Sequence, residues 1–317
     1  MNVLTDLNIV CLAGGVGGAK LAHGLAQIVP PERLTIIVNT GDDFQHLGLT
    51  ICPDLDTVMY TLAGVANPST GWGRLDESFR TIEEVGRLGG PDWFRLGDLD
   101  LATHLTRSHL LAAGQSLTAV TRHLCRQFAI QPDVLPMSSQ PAPTFIQSGA
   151  RRIPFQTWFV EERWQPHVDE VVLPDNVQAS AQVTQKLEKA DVVIFAPSNP
   201  FVSLDPILNV YPIREMVMDL PQAVIAVSPI VGGQAVKGPA AKMMQELGLA
   251  VSATAVADYY GDLLDGFVYD LQDADAADKP SGLTACVDTM MYSDADRRRL
   301  ALDVLALAQR IVEATAV

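Results

Sequence analysis

Two short acidic stretches carry the clearest chemistry in the chain: Asn39-Thr40-Gly41-Asp42-Asp43, then Pro53-Asp54-Leu55-Asp56-Thr57. Carboxylates gathered this closely cannot all stay ionised without a counter-charge. A hard divalent cation such as Mg2+, held by one or two carboxylates and a substrate phosphate, would supply it. Asp42, Asp43 and Asp56 are the candidate metal ligands, and Asp43 and Asp56 the candidate catalytic acids, with Thr57 beside them as a substrate contact. Asp54 reads differently, as the cap of a helix beginning near Leu55. The plain alternative for Asp42 and Asp43 is an exposed turn.

Gly14-Gly15-Val16-Gly17-Gly18-Ala19-Lys20 is the second feature. Glycines there let backbone N–H groups approach an anion, and a following helix N-terminus adds a favourable dipole. Gly14, Gly15, Gly17, Gly18 and Lys20 are therefore candidate phosphate contacts; a tight turn without ligand is the alternative. Neither standard template fits, because GxGxxG needs glycine at Lys20 and the P-loop needs Gly-Lys-Ser/Thr where Ala19-Lys20-Leu21 stands. Further on, Asp98 and Asp100 open a helix, where the macrodipole favours acids. On that helix His104 and Arg107 share a face and could meet a carboxylate or phosphate. Two later loops present small polar groups and free backbone: Ser198, Asn199 and Pro200 with Ser203, and Ser228, Gly232 and Gly233 with Lys237. They suit a nucleoside and its diphosphate. No His/Asp/Glu set has zinc spacing, and no G-x-S-x-G elbow is present.

Positioning these groups requires strands that end at them. Branched apolar runs at 9–13, 34–39, 191–196 and 223–228 alternate with amphipathic stretches at 19–28, 102–113, 117–128, 180–190 and 294–314. That order predicts βαβ units and a mainly parallel, Rossmann-like sheet flanked by helices, each strand buried on both faces. Residues 132–174, rich in Pro and Gln with β-like pieces near 144–147 and 155–160, read as a smaller α+β subdomain inserted into a single 1–317 domain. In an open α/β sheet, ligands bind outside the carboxyl ends of the strands. The glycine loop, the acidic stretches and both late loops follow such ends.

Composition narrows the functions. With 317 residues, 37 Asp+Glu against 22 Lys+Arg, a net charge of −15 and a pI near 4.7, the chain is unsuited to unaided binding of nucleic acid or anionic lipid. No apolar run reaches membrane-spanning length, and no charged signal region opens the sequence. Cys11, Cys52, Cys125 and Cys286 lie apart and read as thiols of a reducing, cytoplasmic compartment.

At these same residues the sequence resembles the 2-phospho-L-lactate transferase family of deazaflavin coenzyme F-420 biosynthesis. The stretches that carry the likeness are GGVGGAKL, VNTGDD, PDLDTVMYTLAG, GWGRLDESF, LGDLDLATHLTRS, APSNPFVSLDPIL and SPIVGGQAVKGPAAKMM. The resemblance implies Mg2+-dependent transfer of a phospho-three-carbon-acid unit from its guanosine diphosphate derivative to the ribityl hydroxyl of the deazaflavin Fo, with release of GMP, by a homodimer. It implies a diphosphate held by the glycine loop and Lys237, and guanosine facing Ser198, Asn199 and Ser228. Asp56 would then orient or deprotonate the acceptor hydroxyl. Leu99 stands where many members carry Arg, and the Phe44–Gly48 segment departs from their commoner Trp/His pattern; both positions bear on the choice among lactyl, enolpyruvyl and glyceryl donors.

Two other functions share the core. A regulatory nucleotide-sugar-binding protein would carry an ADDGGSSG-like stretch after the second strand and lack PDLDT. An NAD(P)-dependent oxidoreductase would need GxGxxG and an acid at the end of that strand, where Asn39-Thr40 stands.

Overall fold

The computed structural model describes residues 6–315. Seven parallel strands form its central sheet: β1 (Ile9–Ala13), β2 (Leu34–Val38), β3 (Asp133–Pro136), β4 (Val192–Phe195), β5 (Ala223–Val227), β6 (Gly266–Asp270) and β7 (Leu283–Val287). Their order is β7-β6-β5-β4-β1-β2-β3. Chain progression runs outward from β1 in one direction through β2 and β3, then resumes on its other side at β4. The reversal lies between β1 and β4, so the crevice above their carboxyl ends is where a ligand is expected.

β1, β2, β4, β5 and β6 are buried at every position. Helices on both faces cause this, and it is why these segments read as unbroken apolar runs rather than alternating ones. One face packs under α1 (Gly15–Ala26), α2 (Pro53–Leu62) and the long C-terminal α4 (Asp294–Thr315), with Leu21, Leu25, Val58, Leu300 and Leu305 in its core. The other is covered by residues 201–217 and 240–263 and by the inserted layer, through Ile146, Trp158, Phe201 and Met243.

That layer is a three-stranded antiparallel sheet, Arg151–Pro154, Phe145–Ser148 and Glu170–Val172 in spatial order. Its boundary differs from the sequence reading at the amino end, since residues 133–136 pair in parallel with β2 and belong to the central sheet. The 155–160 piece is not a strand either; it enters a helical turn at Thr157–Glu161. β6 and β7 were not anticipated. β7 is half-exposed at the sheet edge and lacks the all-apolar signature.

α1 begins at Gly15, four residues ahead of the predicted start, so the glycine loop forms the helix's own first turn. The helix predicted at 102–113 is Asp98–Ala112, here α3, and it opens at Asp98 as its acidic first turn suggests.

Candidate active site

Three elements converge on the carboxylates. β2 ends at Val38 and hands Asn39 to the turn that carries Asp42 and Asp43; a hairpin, Phe44–His46 with Leu49–Ile51, then returns the chain to α2, whose first turn carries Asp54 and Asp56. Asp42, Asp54 and Asp56 are buried. The exposed-turn alternative therefore fails for Asp42.

Asn39 organises the cluster. Its Nδ2 donates to Asp42 Oδ1 and Asp54 Oδ2, both at 2.9 Å, and to the Val202 carbonyl at 3.2 Å. Gln156 of the inserted layer donates to Asp42 Oδ2 at 3.3 Å. These are neutral donors, and no cation pairs with Asp42, Asp43 or Asp54 among the described residues. Burial, reinforced by the charge of Asp54, drives the Asp42 carboxyl well above the usual range. Burial raises Asp43 likewise against the Cys52 thiol that donates to it, and lifts Asp54 to about 6. Asp43 Oδ1 is buried with no partner at all. An orphaned carboxylate oxygen amid uncompensated hard-oxygen donors fits a divalent cation, because the cation would supply the missing charge and the missing partner together.

Asp54 does not cap α2 as expected. Its carboxylate accepts from Asn39 and from the Gly15 backbone N–H at the start of α1. The favourable amino end of α1 is thus engaged by one of the protein's own acids.

Asp56 differs from its neighbours. Arg107 of α3, 1% exposed, reaches both of its oxygens, with Nη1 at 3.0 Å from Oδ2 and Nη2 closer still on Oδ1. His104 Nδ1 lies 3.1 Å from Arg107 Nη1, and His104 Nε2 lies 3.3 Å from Asp100 Oδ1, which also accepts from the Tyr60 hydroxyl at 2.6 Å. His104 and Arg107, expected at the substrate, are instead sealed behind Asp56, because the face they share is the one α3 turns toward α2. Asp56, Asp100 and His104 each bring a ligand atom to within 4.8 Å of the others, but the guanidinium already supplies positive charge there.

The glycines have a packing reason. A Cβ at Gly17 would lie 2.2 Å from the Pro197 carbonyl oxygen, one at Gly18 2.7 Å from Ser198 Oγ, and one at Gly14 2.6 Å from Ser203 Cβ. α1 can press against the β4 loop only without side chains. Ser198 then ties the two sides of the crevice together: its Oγ donates to the Gly14 carbonyl at 2.8 Å and accepts from the Gly14 N–H at 3.2 Å. Asn199 accepts from the Phe201 N–H and caps the turn that starts at Pro200. Ser228 bonds within its own loop to Ile230, and Gly232 and Gly233 make the turn of a small hairpin with positive φ. Lys237 reaches the Thr70 carbonyl at 2.7 Å, and Thr57 is buried in α2. Lys20, expected at the diphosphate, donates instead to the Met291 carbonyl at 2.7 Å, at the far side of α1.

The Phe44–Gly48 segment singled out in the sequence joins an aromatic group beside Asp43 whose other members, Trp93 and Phe94, were not anticipated. Phe44, His46, Trp93 and Phe94 pack with ring centroids 4.9–6.0 Å apart. The adjacent Trp93-Phe94 pair in a glycine-bounded loop was its visible signal.

A family model described as "2-phospho-L-lactate transferase CofD" matches residues 9–305. The chain belongs to this transferase family. Relatives include a phosphoenolpyruvate transferase of Streptomyces coelicolor, 41% identical over 97% of this chain and 100% of that one, and a 2-phospho-L-lactate transferase of Methanosarcina acetivorans, 40% identical over 94% and 98%. A solved Bacillus halodurans protein of the upf0052 family superposes with a TM-score of 0.60 at 14% identity, covering 94% of this chain and 98% of its own. That likeness concerns the fold. The acid cluster lies at the carboxyl end of β2, beside the switch point between β1 and β4, and among the described residues no helix is long and apolar enough to cross a membrane.

Proposed function

We propose that the protein transfers a phospho-three-carbon-acid unit from a guanosine diphosphate derivative to the terminal hydroxyl of the deazaflavin Fo, releasing GMP, in coenzyme F-420 biosynthesis. The observation that carries this reading is the unpartnered Asp43 oxygen in a buried acid cluster where no cation pairs directly with Asp42, Asp43 or Asp54, beside the switch point. Phospho-group transfer depends chiefly on positioning and charge neutralisation, and this cluster is built for both. Asp42 and Asp43 would hold Mg2+, which neutralises the diphosphate when bound. Asp56, fixed by Arg107, keeps free lone pairs with which to orient the acceptor hydroxyl and accept its proton. The backbone of the Ser198–Ser203 loop lines the nucleoside side of the crevice. Beside Asp43, the Phe44, Trp93 and Phe94 rings, packed edge-to-face and tilted, offer an apolar wall to the deazaflavin.

The relatives named as phosphoenolpyruvate and 2-phospho-L-lactate transferases support the three-carbon donor class. A homodimer working in the cytoplasm is part of the same reading, and light scattering on the purified chain checks the dimer. The deciding assay incubates the protein with Fo, Mg2+ and each guanylylated acid in turn, and follows the deazaflavin product by mass spectrometry. One donor should yield a phospho-acid adduct of Fo together with GMP. Absence of any adduct with every donor would overturn the proposal.

A further inference from the structure

On the outer side of α1, away from the acid cluster, lies a cavity of about 190 Å³ walled by α1, the 64–71 segment and the start of α4. Its polar lining consists mainly of donors. Lys20 has no carboxylate partner among the described residues; its one bond goes to the Met291 carbonyl. Arg297 pairs through Nη1 with Asp294 at 3.2 Å, while its Nε is buried and unpartnered. His23 Nδ1 lies 3.0 Å from Gln27 Nε2, 3.3 Å from Arg297 Nη1 and 3.8 Å from Asp294 Oδ1. Asp294 is the one acid lining the cavity, and its side chain is 71% exposed. Burial first, and then the charges of Arg297 and the nearby Lys237, lower the Lys20 pKa. Such a pocket stands out on a chain with a net charge of −15.

We infer that this cavity is a binding site for a phosphate-type oxyanion, held by Lys20, Arg297 and His23 and separate from the transferase crevice. A tetrahedral dianion in the cavity would neutralise the Lys20 and Arg297 cations with charge-assisted hydrogen bonds. A metal ion is disfavoured there by the same cations. Inorganic phosphate and the phosphate of a small monoester share this chemistry. The site uses the face of α1 that carries Val16, Lys20 and His23, whereas Gly17 and Gly18 turn toward the β4 loop.

Isothermal titration with inorganic phosphate, and in parallel with 3-phosphoglycerate as a monoester, tests the site on the full chain. Arg297→Gln and Lys20→Met should each weaken binding by roughly tenfold or more, the loss expected for a hydrogen bond to a charged group. Ser198→Ala, in the crevice, should leave it unchanged. A selenate-soaked crystal should show an anomalous selenium peak between Lys20 and Arg297, a readout that survives if either variant fails to fold. Phosphate and monoester binding that neither variant weakens, or an anomalous peak confined to the crevice, would overturn the assignment; response to only one of the two probes identifies the source.

Discussion

Arg107 and Asp56 show how much a single pairing decides. The guanidinium is buried and both carboxylate oxygens face it, so removing either partner strands a charge away from water. Arg107→Met should destabilise the protein by about 3–5 kcal/mol, and adding Asp56→Asn to it should recover part of that loss; urea denaturation of both variants measures the difference. Asp56→Asn alone should cut turnover by roughly 10²–10⁴ if the carboxylate accepts the hydroxyl proton. Asp205 supplies a pH dependence. Burial raises its carboxyl to about 6, although the Tyr259 hydroxyl donates to it and Arg214 lies 3.7 Å away. The folded state therefore holds this proton more tightly than the unfolded chain. Its contribution is complete below the ordinary carboxylate pKa and lost as pH rises through 6, by up to about 3 kcal/mol at 1.36 kcal/mol per unit. Across that window Asp205→Asn should lose less stability than the unaltered protein in parallel urea titrations at pH 4 and pH 7.

α1 and the β4 loop act as one unit because glycine permits their approach. A methyl at residue 17 would meet the Pro197 carbonyl, which is backbone and cannot rotate aside. Gly17→Ala should cost ~1–3 kcal/mol by overpacking and should also raise the donor KM, since the Ser198 bridge to Gly14 shifts with the loop. Gly64→Ala makes the contrast: its added methyl meets nothing, but its φ of +69° is one that side chains avoid, so it should lower stability while sparing KM. Kinetics and melting on the pair separate close approach from backbone conformation. The glycine motif was plain in the sequence, but its partner was not. Pro197 lies far along the chain, and nothing in Gly14–Gly18 specifies which backbone will come that close.

For the molecule as a whole, the buried acids hold the fold under electrostatic strain that a cation should relieve. Mg2+ that binds only the folded state should stabilise it by about 2.7 kcal/mol at a hundredfold excess over Kd. Asp43→Asn should abolish that gain, and denaturation midpoints with and without Mg2+ measure it. The sequence alone was enough to determine the α/β class, four of the central strands, the acid pairs and the family resemblance. Those are local or strictly patterned: apolar runs bury on both faces, and acids stand next to one another in the chain. Only the tertiary structure decided which acids share a donor and which has a cation. Asp54 faces Asn39 and Gly15 rather than its own helix, Asp56 receives Arg107 from α3, and Lys20 turns away from the crevice. Each of these contacts joins separate elements, and the partner is chosen by how helices seat against the sheet, which residue spacing along one chain does not encode.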